Sequence, residues 1–328
     1  MNNAINLGFV YLGGNLPRYA KKNLLLTKER FPNHRIVLIS DRIENDKFKG
    51  IDFFLFDNSF TSEEYRLHSS HDSTFREGFW IQTMARFAAL ADYMSHNPQK
   101  PLIHFELDVW IAENFPFYIF ESLNCETAFS LPALTEGSAA VLFLRDSLAA
   151  AKLSSIFRES IMNSPTSTDM TILRKIYDEN LMDVVGLPIT PDQVNSNNSN
   201  FDKFLFDPSS WGMYFLGQDP RNSRGFQIFH RQEKHHVVDP SRFDVDSDGR
   251  TVKVVKDSEE YSLVNLHVHS KDLRIFRNLR VSSRNIEKYL SKRSKREFVE
   301  FKLIVFTRQL GKKLFKEIRS FLWKIKNA

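Results

Sequence analysis

Residues 104–110 read HFELDVW, and the three residues before them are Pro-Leu-Ile. An apolar run rich in strand formers therefore ends in two carboxylates, Glu106 and Asp108. If one strand continues through Val109, alternation places Leu102, His104, Glu106 and Asp108 on one face. Ile103, Phe105, Leu107 and Val109 then share the other. The polar face must meet water, a basic partner or a metal ion, because an unpaired buried carboxylate costs roughly several kcal/mol.

Outward from this stretch, short strand-like runs alternate with helical patterns. Upstream lie INLGFVYL, a helical pattern from about Arg18 to Arg30, the run RIVLIS ending at Asp41, and IDFFLF. Within FWIQTMARFAALADYMSHN, Trp80, Met84, Phe87, Ala91 and Met94 recur at helical spacing, and Asn97-Pro98 stops the helix just before PLIHFEL. This order predicts an α/β fold with a parallel sheet whose faces are covered by helices. Ligands of such sheets bind beyond the carboxyl ends of the strands, where Asp41, Glu106 and Asp108 fall. Downstream, ETAFSLPAL and GSAAVLFLRD read as strands, and SPTSTDMTILRKIYDEN as a capped helix. TPDQVNSNNSNFD is a polar loop, and TVKVV and YSLVNLHVHSK are further strands. In the last, Asn265, His267 and His269 share one face.

The 328 residues, 42% of them apolar, are ample for a large core. With 30 phenylalanines and one cysteine, Cys125, the fold rests on aromatic burial, and both an intramolecular disulfide and a cysteine-based zinc site are excluded. A cytoplasmic protein is expected. The opening MNNAINLGFVYLGG reads as a buried strand, not as a targeting segment, and no stretch approaches the roughly 20 apolar residues of a membrane span. There is no GxxxxGK[ST] loop, no GxGxxG after a strand and no GxSxG elbow, so the usual P-loop, dinucleotide and α/β-hydrolase signatures are missing.

The net charge of +5 is uneven: from Lys271 onward 18 Lys and Arg face 5 Asp and Glu, whereas residues 1–270 carry 27 against 35. Within that basic segment, Phe301, Ile304, Leu310, Leu314, Ile318, Phe321, Leu322 and Ile325 form a helical stripe interleaved with lysines and arginines.

Two stretches thus set acids and imidazoles at strand ends, HFELD and NLHVHSK. Mg²⁺ or Mn²⁺ prefers oxygen donors, and Mn²⁺ also accepts imidazole. One carboxylate, one histidine and two phosphates of a nucleoside diphosphate would fill much of such a shell. HFELDVWI resembles the Asp-x-Asp metal signature of GT-A glycosyltransferases, with Glu106 in the first place. NLHVHSK resembles the C-terminal His and Lys element of the metal-dependent members, and FDPSSWGMYFLGQDPRN a segment of bacterial sugar transferases of this kind. The likeness spans roughly residues 5–271.

The resemblance implies a GT-A, Rossmann-like mixed sheet over residues 1–271, followed by a basic helical extension over 272–328. It implies Mn²⁺ or Mg²⁺ as cofactor, a UDP-linked sugar as donor, and a glycan or lipid-linked acceptor of surface-polysaccharide type. Asp108 and His267 become the metal ligands, with His269 as the alternative imidazole. Glu106 contacts the metal's water shell or the ribose, and Lys271 neutralises phosphate.

Tyr11 and Asp41, at the first two strand ends, are candidates for touching the base or ribose. Arg86 is a candidate for pairing with Asp108 or reaching the nucleotide. Asp169 and Asp207 are candidates for the general base of an inverting transfer, although Asp169 also reads as a helix cap and Asp207 as the start of a turn. The segment 298–326 could bind an anionic membrane surface on the inner face of the membrane, or fold back on the body. Two rival readings are a nucleic-acid-binding protein acting through the basic segment and a metal-dependent phosphoesterase. The first is disfavoured because the body carries no nucleic-acid motif, and the second because phosphoester hydrolysis usually recruits more ligands.

Overall fold

The computed structural model describes residues 5–42, 48–71, 75, 78–98, 100–196, 201–219, 235–276 and 278–283. The first half builds β1 (Asn6–Tyr11), α1 (Arg18–Arg30), β2 (Ile36–Ser40), β3 (Asp52–Leu55), α2 (Ser59–His68), α3 (Phe79–Ser95) and β4 (Leu102–Phe105). There follow β5 (Val109–Ile111), α4 (Phe117–Ser122), β6 (Thr127–Ala133), β7 (Glu136–Leu144), α5 (Ser147–Asn163) and α6 (Asp169–Asp178). The remainder comprises β8 (Val184–Leu187), α7 (Pro191–Ser196), β9 (Phe204–Leu205), α8 (Ser210–Leu216), β10 (Asp244–Ser247), β11 (Val252–Lys256), β12 (Glu259–Leu263) and β13 (Asn265–His267).

The large sheet has the order β3-β2-β1-β4-β7-β6-β8. The first four strands are parallel, β7 runs antiparallel to both its neighbours, and β8 is parallel to β6. The alternating pattern predicts the parallel strands and their flanking helices, whereas the mixed sheet made by the antiparallel β7 is the one the GT-A resemblance implies. β2 is buried throughout, as its unbroken IVLIS run requires of a central parallel strand. One face of the sheet is covered by α1, α4 and a phenylalanine cluster in which Phe115 stacks on Phe120 and Phe206 meets both edge-on. The other carries α2, α3, α5 and α6, with Phe87 of α3 stacked on Phe157 of α5 at 3.7 Å between centroids. From β1 the chain builds outward through β2 to β3, then returns to add β4 on the opposite side, so the strand order reverses between β1 and β4. That reversal opens a crevice at their carboxyl ends.

Two expectations for the strands require correction. PLIHFELDV is not one continuous strand: β4 ends at Phe105, Glu106–Asp108 form a turn closed by a Val109 N–H bond to the Glu106 carbonyl at 2.9 Å, and β5 starts afresh. Simple alternation therefore does not set the direction of the two acids. Likewise YSLVNLHVHSK divides at Val264: β12 pairs with β9 and β11 in a four-stranded sheet, whereas β13 pairs with β5. The physical reason is common to both. Each run leaves one sheet to join another, and no local residue pattern specifies that partner exchange.

The β5–β13 ladder is antiparallel, with Asn265 opposite Ile111, Leu266 opposite Trp110 and His267 opposite Val109. The Val268 N–H extends it to the Asp108 carbonyl at 2.7 Å. From the α1 side, the buried amide of Asn23 donates to the carbonyls of Leu107 and Val109 at 3.1 and 2.6 Å, pinning the turn. Residues 272–276 and 278–283 stay against the body, with Phe276, Leu279 and Val281 buried beside the four-stranded sheet. The segment 298–326, with its basic stripe, lies outside the described residues. No helix among the described residues is long and apolar enough to cross a membrane.

Gly212 of α8 passes so close to β13 that a Cβ there would sit 1.9 Å from the His267 carbonyl oxygen. Gly212→Ala should therefore lower stability by about 1–3 kcal/mol, as overpacking does, read as a reduced urea midpoint at unchanged slope. An unaltered midpoint would contradict this packing.

Candidate active site

The crevice beyond β1 and β4 is a cleft of about 500 Å³ lined by Tyr11, Arg86, Glu106, Asp108, His267 and Lys271 among others. Six positions singled out in the sequence thus meet in one place. The His267 Nε2 lies 3.1 Å from Asp108 Oδ1 and 3.4 Å from Glu106 Oε2. The Lys271 ammonium is 3.5 Å from Asp108 Oδ2 and 3.4 Å from Asp219 Oδ2, and lies 5.3 Å from the Tyr19 ring centre. Lys271 occupies the left-handed backbone region at φ 53°, which few non-glycine residues adopt; a bond from its N–H to the Val268 carbonyl at 2.8 Å closes that turn.

The charges in this cleft hold one another in place. Burial opposes ionisation of Asp108, but the adjacent His267 and Lys271 outweigh it and keep the carboxyl well below its ordinary range. Glu106 is lowered too, because Arg86 and His267 overcome its burial. Burial acts against charge on His267, yet Asp108 and Glu106 raise it to about 9. Its neighbour His269, stacked on it at 4.0 Å between ring centres, is driven by burial and by His267 down to about 3 and is neutral.

Glu106, Asp108 and His267 each offer one donor atom, all within 4.8 Å of one another. Two carboxylate oxygens and an imidazole suit Mn²⁺, and Mg²⁺ less fully because of the nitrogen. A further observation fits an ion here: the Nε2 of neutral His269 is buried without a hydrogen-bond partner. Buried polar atoms are rarely left so, and an orphan beside an acid pair is what an ion or its water shell would satisfy.

The remaining contacts differ from those expected. Arg86 bridges Glu106 and Asp169 and does not contact Asp108, and all three side chains are largely buried. Burial works against the charge of Arg86, but the two carboxylates more than offset it. Asp169 opens α6 as its first residue, the cap itself being Thr168, and it does not line the cleft. Asp41 accepts from the Gly13 N–H at 2.9 Å and from Asn58 at 3.2 Å, and so braces the turn after β1 beside the cleft. It faces an adjoining cavity of about 660 Å³ that shares Gly13 and Gln82 with the cleft.

Asp207, considered above as a general base, is instead a clamp. Its Oδ1 accepts from the N–H groups of Ser209 and Trp211 at 2.8 and 3.0 Å, and its Oδ2 from Gly212 and His267 at 2.8 and 2.9 Å. Four donors occupy a fully buried carboxylate, which leaves no lone pair directed at a substrate. Trp211 of the same segment is fully buried and donates to the Ile189 carbonyl at 3.1 Å. Sequence reasoning missed Asp219, which lines the cleft, and Asn23 beneath it, whereas His104, which it set on the polar face beside the two acids, lines the cleft as well. Asp219 stood within the quoted segment FDPSSWGMYFLGQDPRN, so a signal for it was present.

No protein-family model and no curated protein matches the chain. Among solved structures it is similar to the galactosyltransferase LgtC in complex with donor and acceptor sugar analogs, at 14% identity over 60% of this chain and 79% of that one, with a TM-score of 0.38. The bifunctional glycosyltransferase WbbM matches at 10% identity over 64% and 41% of the respective chains, TM-score 0.37. The bifunctional IspDF from Campylobacter jejuni matches at 9% over 56% and 49%, TM-score 0.32. Likenesses this remote carry no argument about activity, which rests on the residues of the cleft.

If Asp207 is a clamp, Asp207→Ala should cost at least about 3 kcal/mol of stability, since it strands buried N–H donors. Urea unfolding reads this directly. A variant as stable as the wild type that has lost only activity would restore Asp207 to the chemistry.

Proposed function

We propose that this chain is a metal-dependent glycosyltransferase that moves a sugar from a nucleoside diphosphate, UDP in the first instance, to a glycan or lipid-linked acceptor. One observation carries the reading: Glu106, Asp108, His267 and Lys271 converge at the switch point between the parallel strands β1 and β4, so that an acidic, imidazole-bearing set of donor atoms lies beside a lysine in one cleft. Acids and a fixed cation together suit a ligand that is itself an anion carrying a divalent ion, and a diphosphate is such a ligand.

Asp108 and His267 would hold the ion, with Glu106 reaching it directly or through water and His269 as the alternative imidazole. The bound ion would stabilise the negative charge that develops on the departing diphosphate. Lys271 would supply a second, permanent positive charge to the same phosphates. Arg86 positions Glu106 by pairing with it from α3. Tyr11, at the end of β1, and the turn braced by Asp41 would border the base and ribose. Neither Asp207 nor Asp169 is assigned the acceptor's proton, because backbone N–H groups occupy the first and the second is paired with Arg86 away from the cleft. A cytoplasmic setting, with the segment 298–326 on an anionic membrane surface, belongs to the same proposal.

Calorimetry with UDP tests it. Mn²⁺ should strengthen binding to the wild type at least about tenfold, equivalent to about 1.4 kcal/mol, and Asp108→Ala should remove that gain while leaving weak metal-independent binding. UDP affinity indifferent to Mn²⁺ in both proteins would refute the role of Asp108.

A further inference from the structure

A second group of metal-type donors lies away from the cleft and plays no part in the proposed transfer. Glu136 opens β7 at the end of the tight β6–β7 hairpin, where it pairs with Ala133. On the other side of Ala133, His236 forms an antiparallel bridge, and the Val237 N–H donates to the Pro132 carbonyl at 2.7 Å. The backbone thus carries two consecutive histidines to the Glu136 carboxylate. His235 Nε2 lies 3.4 Å and His236 Nε2 3.8 Å from the same oxygen, Glu136 Oε2. All three donor atoms fall within 4.8 Å of one another.

Two features distinguish this group from a chance surface cluster. Bonds of about 2.0–2.1 Å to a tetrahedral ion separate neighbouring donors by roughly 3.3 Å, and the two spacings from Glu136, 3.4 and 3.8 Å, come near that value, so a small movement brings the carboxylate and both imidazoles onto one ion. The second feature is the orientation of His236. Its Nδ1 is 2.7 Å from the Ser210 hydroxyl, which fixes the ring and directs Nε2 toward Glu136. Metal-bound imidazoles are held by such a partner on the opposite nitrogen. His236 is largely buried, so the ring held by Ser210 has little freedom to turn away from Glu136.

We propose that Glu136, His235 and His236 form a zinc site that ties the chain at 235–236 to the β6–β7 hairpin beside α8. Two imidazoles and one carboxylate make a softer donor set than the two carboxylates and one imidazole of the cleft, so this site prefers Zn²⁺ to Mn²⁺ by the wider margin. A water molecule completes the fourth position.

The test is Zn²⁺ titration calorimetry on the untagged full chain, comparing wild type with His235→Ala. His235 is half exposed, and its removal leaves the buried frame in place. The variant should bind about one equivalent fewer than the wild type, with UDP binding unchanged. Ser210→Ala should keep the stoichiometry but weaken this site by about tenfold or more, because it frees the His236 ring. Asp108→Ala should leave the His235-dependent equivalent intact, so loss of the cleft's metal and loss of this one are read separately. Equal Zn²⁺ stoichiometry and affinity in wild type and His235→Ala overturns the proposal, as does displacement of the His235-dependent ion by equimolar Mn²⁺.

Discussion

The β5–β13 ladder governs the whole site, since it is the only described pairing that carries the chain around His267 to the chain around Asp108. Its register matters more than its length. Side chains alternate along a strand, so a slip of one residue would turn His267 away from the acids and present Val268 to them. Three residues would be too few to fix this unaided. The Asp207 carboxylate supplies the missing constraint: by accepting both the His267 N–H and the first N–H groups of α8, it locks β13 against that helix, and Gly212 allows the close approach. Asn23 performs the corresponding task beneath the turn at Leu107. The charges of the cleft thus stand on the filled Asp207 carboxylate and on the N–H donors of the Asn23 amide.

Electrostatics then explains why the cleft tolerates so many buried ionisable groups. Arg86 is flanked by two carboxylates, and His267 and Lys271 flank Asp108. Each charge is opposed at short range, which offsets a desolvation cost that would otherwise neutralise it. Glu106 and Asp108 favour a proton on His267, which Nε2 would release on ligating an ion, so the ion's charge would replace that of the imidazolium. An entering divalent ion would therefore take over an existing charge pattern and not create one.

Much of the sheet was legible in the sequence. The helix from Arg18 to Arg30 and the strand RIVLIS follow directly from periodicity, and α3 from its apolar spacing and the Asn97-Pro98 stop. The cleft's main residues were legible too, because acids and imidazoles at strand ends of an α/β chain have few other positions open to them. What stayed hidden was tertiary. The break between Phe105 and Val109, and that at Val264, arise from a change of partner sheet, which leaves the local composition unchanged. The sequence leaves Asp207 open between general base and turn, because a carboxylate before a proline looks the same whether substrate or four backbone N–H groups fill it. The helix α5 was overlooked although its signal was present, in Asp146 capping the Ala149 N–H ahead of an alanine-rich run. The polar stretch TPDQVNS, read as loop, contains the short helix α7, which Gln193 supports by accepting from the Ile189 N–H.

The central claim is that Asp108 and His267, brought together by that ladder, hold one cation against a diphosphate. Pulsed electron paramagnetic resonance of Mn²⁺ bound to the full chain with UDP tests it most directly. The account predicts nitrogen coupling that disappears in His267→Gln, together with phosphorus coupling from the nucleotide. A Mn²⁺ signal with phosphorus coupling but no nitrogen coupling, or one unchanged by His267→Gln, would contradict it.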